Sequence, residues 1–127
     1  MALADTVGVG VPSQVGDLTA RVRDAVPDGP PLRFHFHNTR NTGFANAWAA
    51  VAEGVDVLDA SAGGIGGCPF APAATGNIAT EDLVYLLERA GRPTGYDLDA
   101  LLPTAAFLAE QLGHDVPALL PRAGTFP

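Results

Sequence analysis

Apolar and polar positions along this chain alternate between two rhythms, a period of two and a period near 3.6, as in a string of strand–helix units. Ala2-Leu3-Ala4 is a short apolar run that closes at Asp5-Thr6 and opens into a glycine-rich turn over residues 7–12. Val15, Leu18, Val22 and Val26 recur at three- and four-residue steps and predict a helix with one apolar face, broken by the prolines between 27 and 31. Residues 32–37, Leu-Arg-Phe-His-Phe-His, alternate with period two and predict a strand with both histidines on one side. An alanine-rich helix is expected over 44–53, with Gly54 as its stop, and another apolar strand over 55–60.

Residues 61–69 are a glycine-rich loop, and Asn77-Ile78-Ala79 is a candidate short fourth strand. Thr80 is placed to cap a helix bearing Leu83, Val84 and Leu87. A last helix over 98–112 carries Leu98, Leu101, Leu102, Ala105 and Leu108 on one face, and the proline-rich tail from Gly113 admits at most one further helical turn. No repeat of fixed period appears beyond the alternation itself. The expected fold class is α/β, with three or four parallel strands joined by right-handed crossovers. Such a set forms a small open sheet or half of an eight-stranded barrel, because a complete barrel takes roughly 250 residues.

Composition narrows the partners. Hydrophobic residues make up 47% of 127 residues and charged residues 17%, an ordinary globular balance. Fourteen acidic residues against seven basic ones leave a net charge of −7, which argues against nucleic acid or an anionic membrane surface as the main partner. The single cysteine, Cys68, has no second cysteine for an intrachain disulfide and suits a reducing compartment. The chain has no apolar run of about 18 residues and no basic segment ahead of an apolar one at its start, so a cytoplasmic location is expected.

Three places carry candidate chemistry. A His-x-His pair such as His35 and His37 sets two imidazoles about 7 Å apart along one strand face, which suits one metal ion and equally suits a solvent-facing surface. Asp5, and less clearly Asp59, stands at the C-terminal end of a predicted strand, the rim where parallel α/β folds bind substrates; an aspartate there also caps turns. Cys68 follows glycines 63, 64, 66 and 67, a density that lets the backbone deliver a reactive group over a substrate, whereas a structural thiol would sit in a packed core. Asn77, after Gly76, offers an amide oxygen to a metal or hydrogen bonds to a substrate.

The segment Gly66-Gly67-Cys68-Pro69-Phe70-Ala71, continued by Thr75-Gly76-Asn77-Ile78-Ala79-Thr80-Glu81-Asp82-Leu83-Val84-Tyr85, resembles the cysteine-loop signature of hydroxymethylglutaryl-CoA lyases. His35-Phe36-His37-Asn38-Thr39 with Ala45-Asn46 resembles that family's sixth strand, and Asp5-Thr6-Val7-Gly8 with Pro12 the end of its fifth. The likeness spans nearly the whole chain in family order. It implies a single partial domain over 1–127: strands five to eight of a (β/α)8 TIM barrel plus C-terminal helices, with the N-terminal half absent.

The same resemblance implies His35, His37 and Asn77 as ligands of Mg²⁺ or Mn²⁺, and Cys68 as an acid/base on a mobile loop. Asp5 is implied more weakly, as a base or an orienting group. The implied reaction is the retro-Claisen cleavage of 3-hydroxy-3-methylglutaryl-CoA, a step of leucine degradation, with an acyl-CoA substrate. A homo-oligomer, or pairing with the missing half, is the expected assembly. Without strands one to four the chain lacks an aspartate ligand, an arginine and most of the CoA surface, so the fragment alone is expected to be inactive. A non-catalytic half-barrel module and an acyl-CoA condensing enzyme are the alternatives, the cysteine loop speaking against the latter.

Overall fold

Strand and helix alternate in the order the apolar pattern predicts, in a computed structural model that describes residues 1–67 and 76–126. The described residues gather into two units, Met1–Asp59 with the described part of Gly67–Asn77, and Ala60–Gly66 with residues from Ile78 onward.

In the first unit the strands β1 (Ala2–Asp5), β2 (Arg33–Phe36) and β3 (Val57–Asp59) form a parallel sheet in sequence order. The crossovers are α1 (Pro12–Ala25) and α2 (Gly43–Ala52). Proline at the first turn of α1 costs nothing, because its missing N–H would have no partner there. Just ahead of it, the Gln14 amide oxygen accepts the Val11 N–H at 3.0 Å. The face of α1 that is buried runs through Val15 and Thr19, whereas Leu18 and Val26 of the expected stripe stay exposed. The inward face is rotated because α1 packs against α2, whose buried side is made of small residues, Ala47 and Ala50. Phe34 and Phe36 fill the layer between sheet and helices, their rings stacked at 5.2 Å.

Sheet register decides which residues share a face. Across parallel neighbours, paired positions point the same way. Phe34 pairs with Leu3 and Leu58, and Phe36 with Asp5, so these belong to the helix-covered face. His35 pairs with Ala4 and Asp59, so the opposite face carries Arg33, His35 and Asp59.

The expected fourth strand is not a strand among the described residues. Asn77 makes an antiparallel bridge with His37, and Ala79 a parallel bridge with Ser61, each isolated. Among the described residues the sheet therefore has three strands rather than about four. A run of three residues that turns into a helix at Thr80 is too short to build a ladder.

The second unit packs α3 (Thr80–Arg89), α4 (Leu98–Leu112) and α5 (Leu120–Ala123) around Ile78, Val84, Ala105 and Ala118. Ala79, not Thr80, occupies the cap position of α3, which has no side-chain cap and instead carries Glu81 and Asp82 in its first turn. Asp97 caps α4 through the Ala100 N–H, and Gly113, at φ +71°, ends it in the left-handed region. The expected α4 stripe does face inward, with Ala105 at its buried centre. No described helix is long and apolar enough to cross a membrane.

Candidate active site

The C-terminal ends of β1, β2 and β3 lie side by side and carry Asp5, His37 just beyond Phe36, and Asp59. Period-two alternation on β2 sends both phenylalanines to the helices, which leaves both imidazoles on the other face. Their ring centroids are 5.1 Å apart and inclined at 64°. His37 is buried at 4% exposure and His35 remains half-buried. Asn77 is brought against this pair by its bridge to His37, and the Asn38 N–H donates to the Gly76 oxygen at 3.2 Å. Residues forty positions apart in sequence thus meet at one strand end.

Asp59 joins the same face. Its carboxylate lies 3.8 Å from His35 Nδ1 and 3.5 Å from Arg33 Nε, so it is an ionic neighbour rather than a hydrogen-bond partner at the imidazole. Neither Arg33 nor the closeness of Asp59 was anticipated from sequence. The signal was present in the period-two spacing of Arg33 and His35, but the register with β3 was needed to read it.

Asp5 is not gathered with the histidines. Its register puts it on the face of Phe36, and its carboxylate oxygens accept the N–H groups of Val9 and Gly10 at 3.0 and 2.9 Å. It acts there as a turn-holding aspartate, the alternative that its sequence context allowed. Two more side chains hold the same loop. Arg40 donates to the Val7 and Gly8 oxygens, and Asn46, fully buried, donates to the Gly10 oxygen. Cys68 lies outside the described residues.

Two imidazoles and a carboxamide at one strand end fit a divalent cation that also takes oxygen from water, carboxylate or substrate. Among the described residues, no group of three or more histidine, cysteine, aspartate and glutamate side chains is placed to hold a metal ion. The fit therefore rests on the histidine pair with Asn77, and an ion there would draw its remaining donors from elsewhere.

The HMGL-like family model matches residues 1–108. The chain belongs to the HMGL-like family. It is 53% identical over 122 residues to an (R)-citramalyl-CoA lyase of Chloroflexus aurantiacus, covering 96% of this chain and 38% of that protein. A hydroxymethylglutaryl-CoA lyase of Bacillus subtilis is 41% identical over 118 residues, covering 93% of this chain and 39% of that protein. Among solved structures, an HMG-CoA lyase from Acinetobacter baumannii in complex with coenzyme A and 3-methylmalate superimposes with a TM-score of 0.89 at 46% identity, covering 99% of this chain and 42% of that one. This member of the HMGL-like family thus spans about two fifths of the length of the relatives it matches. Those relatives are lyases of CoA thioesters, so the family context is a CoA-thioester lyase.

Proposed function

We propose that the protein carrying this chain is a carbon–carbon lyase that cleaves 3-hydroxy-3-methylglutaryl-CoA to acetoacetate and acetyl-CoA. The observation that carries this reading is the meeting of His35, His37 and Asn77 at the end of β2. These residues would hold Mg²⁺ or Mn²⁺, which when bound polarises the substrate hydroxyl and lowers the cost of removing its proton. The parallel sheet is read as part of a (β/α)8 barrel, with residues 77–79 in the place of the eighth strand and the active-site rim at the strands' C-terminal ends.

The chain's own residues then have separate tasks. The histidine pair and Asn77 would hold the ion that orients the substrate's oxygens, with the Asp59 carboxylate beside the His35 ring. As the hydroxyl proton leaves to a base, the hydroxyl carbon becomes a carbonyl and the bond to the thioester's α-carbon breaks. The electron pair stays on that α-carbon, and the Cys68 thiol donates the proton that completes acetyl-CoA. Asp5 is assigned the orienting half of its expected role. Its two amide hydrogen bonds, on the face away from the histidines, support a hold on the β1–α1 loop. A reducing cytoplasmic setting would keep the thiol competent.

A second substrate is favoured by one observation: the 53% identical relative is named for (R)-citramalyl-CoA. The same bond-breaking in a citramalyl thioester releases a 2-keto acid, pyruvate, in place of acetoacetate. The test is to supply the protein, with Mg²⁺ or Mn²⁺, each thioester separately and to quantify acetyl-CoA, acetoacetate and pyruvate. Acetoacetate formed with the higher kcat/KM supports the first reading. Preferential pyruvate formation moves the assignment to the citramalyl thioester, and no acetyl-CoA from either rejects the lyase reading.

A further inference from the structure

The seven lysine and arginine positions of this chain are all arginines, and four of them belong to the first unit: Arg21, Arg23, Arg33 and Arg40. Three of these lie away from the C-terminal ends of the strands. Arg21 and Arg23 ride on α1, where Arg23 donates to the Glu53 and Gly54 oxygens at the end of α2. Arg33 starts β2, with Asp59 as its ionic neighbour. Arg40 stands at the rim, in the loop that leaves β2, three positions after His37.

The Arg40 guanidinium is built into that rim. Its Nη1 donates to the Val7 oxygen at 3.1 Å and to the Gly8 oxygen at 3.0 Å, so both hydrogens of that nitrogen are spent on the β1–α1 loop. The two loops press together just ahead of it: a Cβ added to Gly8, whose φ is +64°, would lie 2.7 Å from Thr39 Oγ1. Just after it, the Asn41 N–H closes a turn by donating to the Asn38 oxygen at 3.0 Å. Asn41 has a φ of +57°, alone among the described non-glycine residues in taking a positive value, and such backbone outliers gather at ligand clamps.

The rest of the guanidinium is the part suited to an anion. The N–H groups of Nη2 and Nε have no partner among the described residues, and the side chain is exposed. That edge presents two parallel donors, the fork that carboxylates and phosphates accept in pairs. A tie between the two loops needs Nη1 alone. A CoA thioester with a free carboxylate brings several negative charges to a chain whose own net charge is −7, and local positive charge at the rim offsets that repulsion.

We propose that Arg40 is a binding residue for an oxyanion of the substrate, a carboxylate of the acyl group or a phosphate of coenzyme A. The anion is taken on the Nε–Nη2 edge while Nη1 holds the guanidinium plane against the β1–α1 loop. The identity of the substrate rests on the lyase reading, whereas the anion site does not.

The experiment uses the protein that carries this chain and two variants. Arg40→Lys keeps the charge and can still donate to the loop but lacks the fork, and Arg40→Met keeps only the stem. Binding is read by titration calorimetry with free coenzyme A and with 3-hydroxy-3-methylglutarate. Turnover is read as kcat and KM for the CoA thioester and for the corresponding pantetheine thioester, which carries no phosphate. In Arg40→Met, KM for the CoA thioester should rise about tenfold or more with kcat within about threefold, and Arg40→Lys should fall between it and the parent. Weakened coenzyme A binding with an unaffected pantetheine thioester supports the site with a phosphate as its anion. Weakened binding of the diacid, with the pantetheine thioester equally sensitive, supports it with the acyl carboxylate. Variants that bind both probes within about twofold of the parent overturn the proposal, as does a parent that binds neither. A fall in kcat with KM unchanged also overturns it, because that pattern places the work of Arg40 in the loop tie and not on the bound substrate. Should the methionine variant not fold, the lysine variant decides by the same comparisons. A parent that cleaves no thioester rejects the lyase reading, while the two titrations still test Arg40.

Discussion

Asp5 offers the sharpest test of how the rim is built, because sequence and structure assign its carboxylate different work. The Val9 N–H that it accepts belongs to a residue 58% exposed, whereas the Gly10 N–H is partly buried. A hydrogen bond to a charged acceptor is worth roughly 1.5–3 kcal/mol when shielded and less when water competes. Water readily replaces the first bond, worth about 0.5 kcal/mol, and only in part the second, worth about 1.5 kcal/mol. Asp5→Ala should therefore destabilise the folded protein by about 2 kcal/mol, and Asp5→Asn, which keeps one acceptor, by about 1 kcal/mol. Arg40 holds the Val7 and Gly8 carbonyls of the same loop, so releasing both ties should cost less than the two separate losses combined. Urea denaturation of the single variants and of Asp5→Ala/Arg40→Ala gives that coupling directly, expected at about 0.5–1 kcal/mol. Parental stability in Asp5→Ala, or strict additivity with Arg40→Ala, would refute the loop-holding assignment. Parental stability combined with a turnover loss of about 10²-fold in Asp5→Asn would return Asp5 to the role of base.

Replacing His35 or His37 by alanine should weaken Mn²⁺ binding, measured by titration calorimetry, by at least about tenfold, and undiminished binding in the double variant would reject the site. Cys68→Ser should leave stability within about 1 kcal/mol while lowering turnover about 10²-fold or more, and thiol oxidation should inactivate the parent alone; a serine variant with normal turnover would show the thiol to be incidental. The 127-residue chain purified alone should show no thioester cleavage and should elute as a species larger than a monomer, because β1 and β3 are the two edges of the sheet among the described residues and an edge strand tends to pair with another chain. A monomeric preparation with full turnover would overturn that expectation.

Much of this protein is decided locally and can be read from the chain. Helix α4 lies where leucines at three- and four-residue steps place it, with an aspartate to start it and a glycine to stop it. The strand with His35 and His37 is equally legible, because period-two alternation needs no knowledge of neighbours to put two imidazoles on one face. Family motifs add the expectation that Asn77 belongs with them, and the bridge to His37 brings it there.

Other features depend on register and packing, which link residues distant in sequence. Asp5 and Asp59 look alike as aspartates at strand ends. Only pairing with β2 separates them, sending Asp59 to the histidine face and Asp5 to the helix face. The inward side of α1 passes through Thr19 rather than Leu18, because the small-residue surface of α2 sets which side of α1 can approach. The grip of Glu81 on Gly63 spans 18 positions and makes a solvated-looking helix-start glutamate one of the most buried side chains of the described residues. Periodicity is a property of consecutive residues and survives in the sequence. The partner of a carboxylate is fixed by which backbone amide the folded chain leaves beside it, and that is a property of the tertiary structure alone.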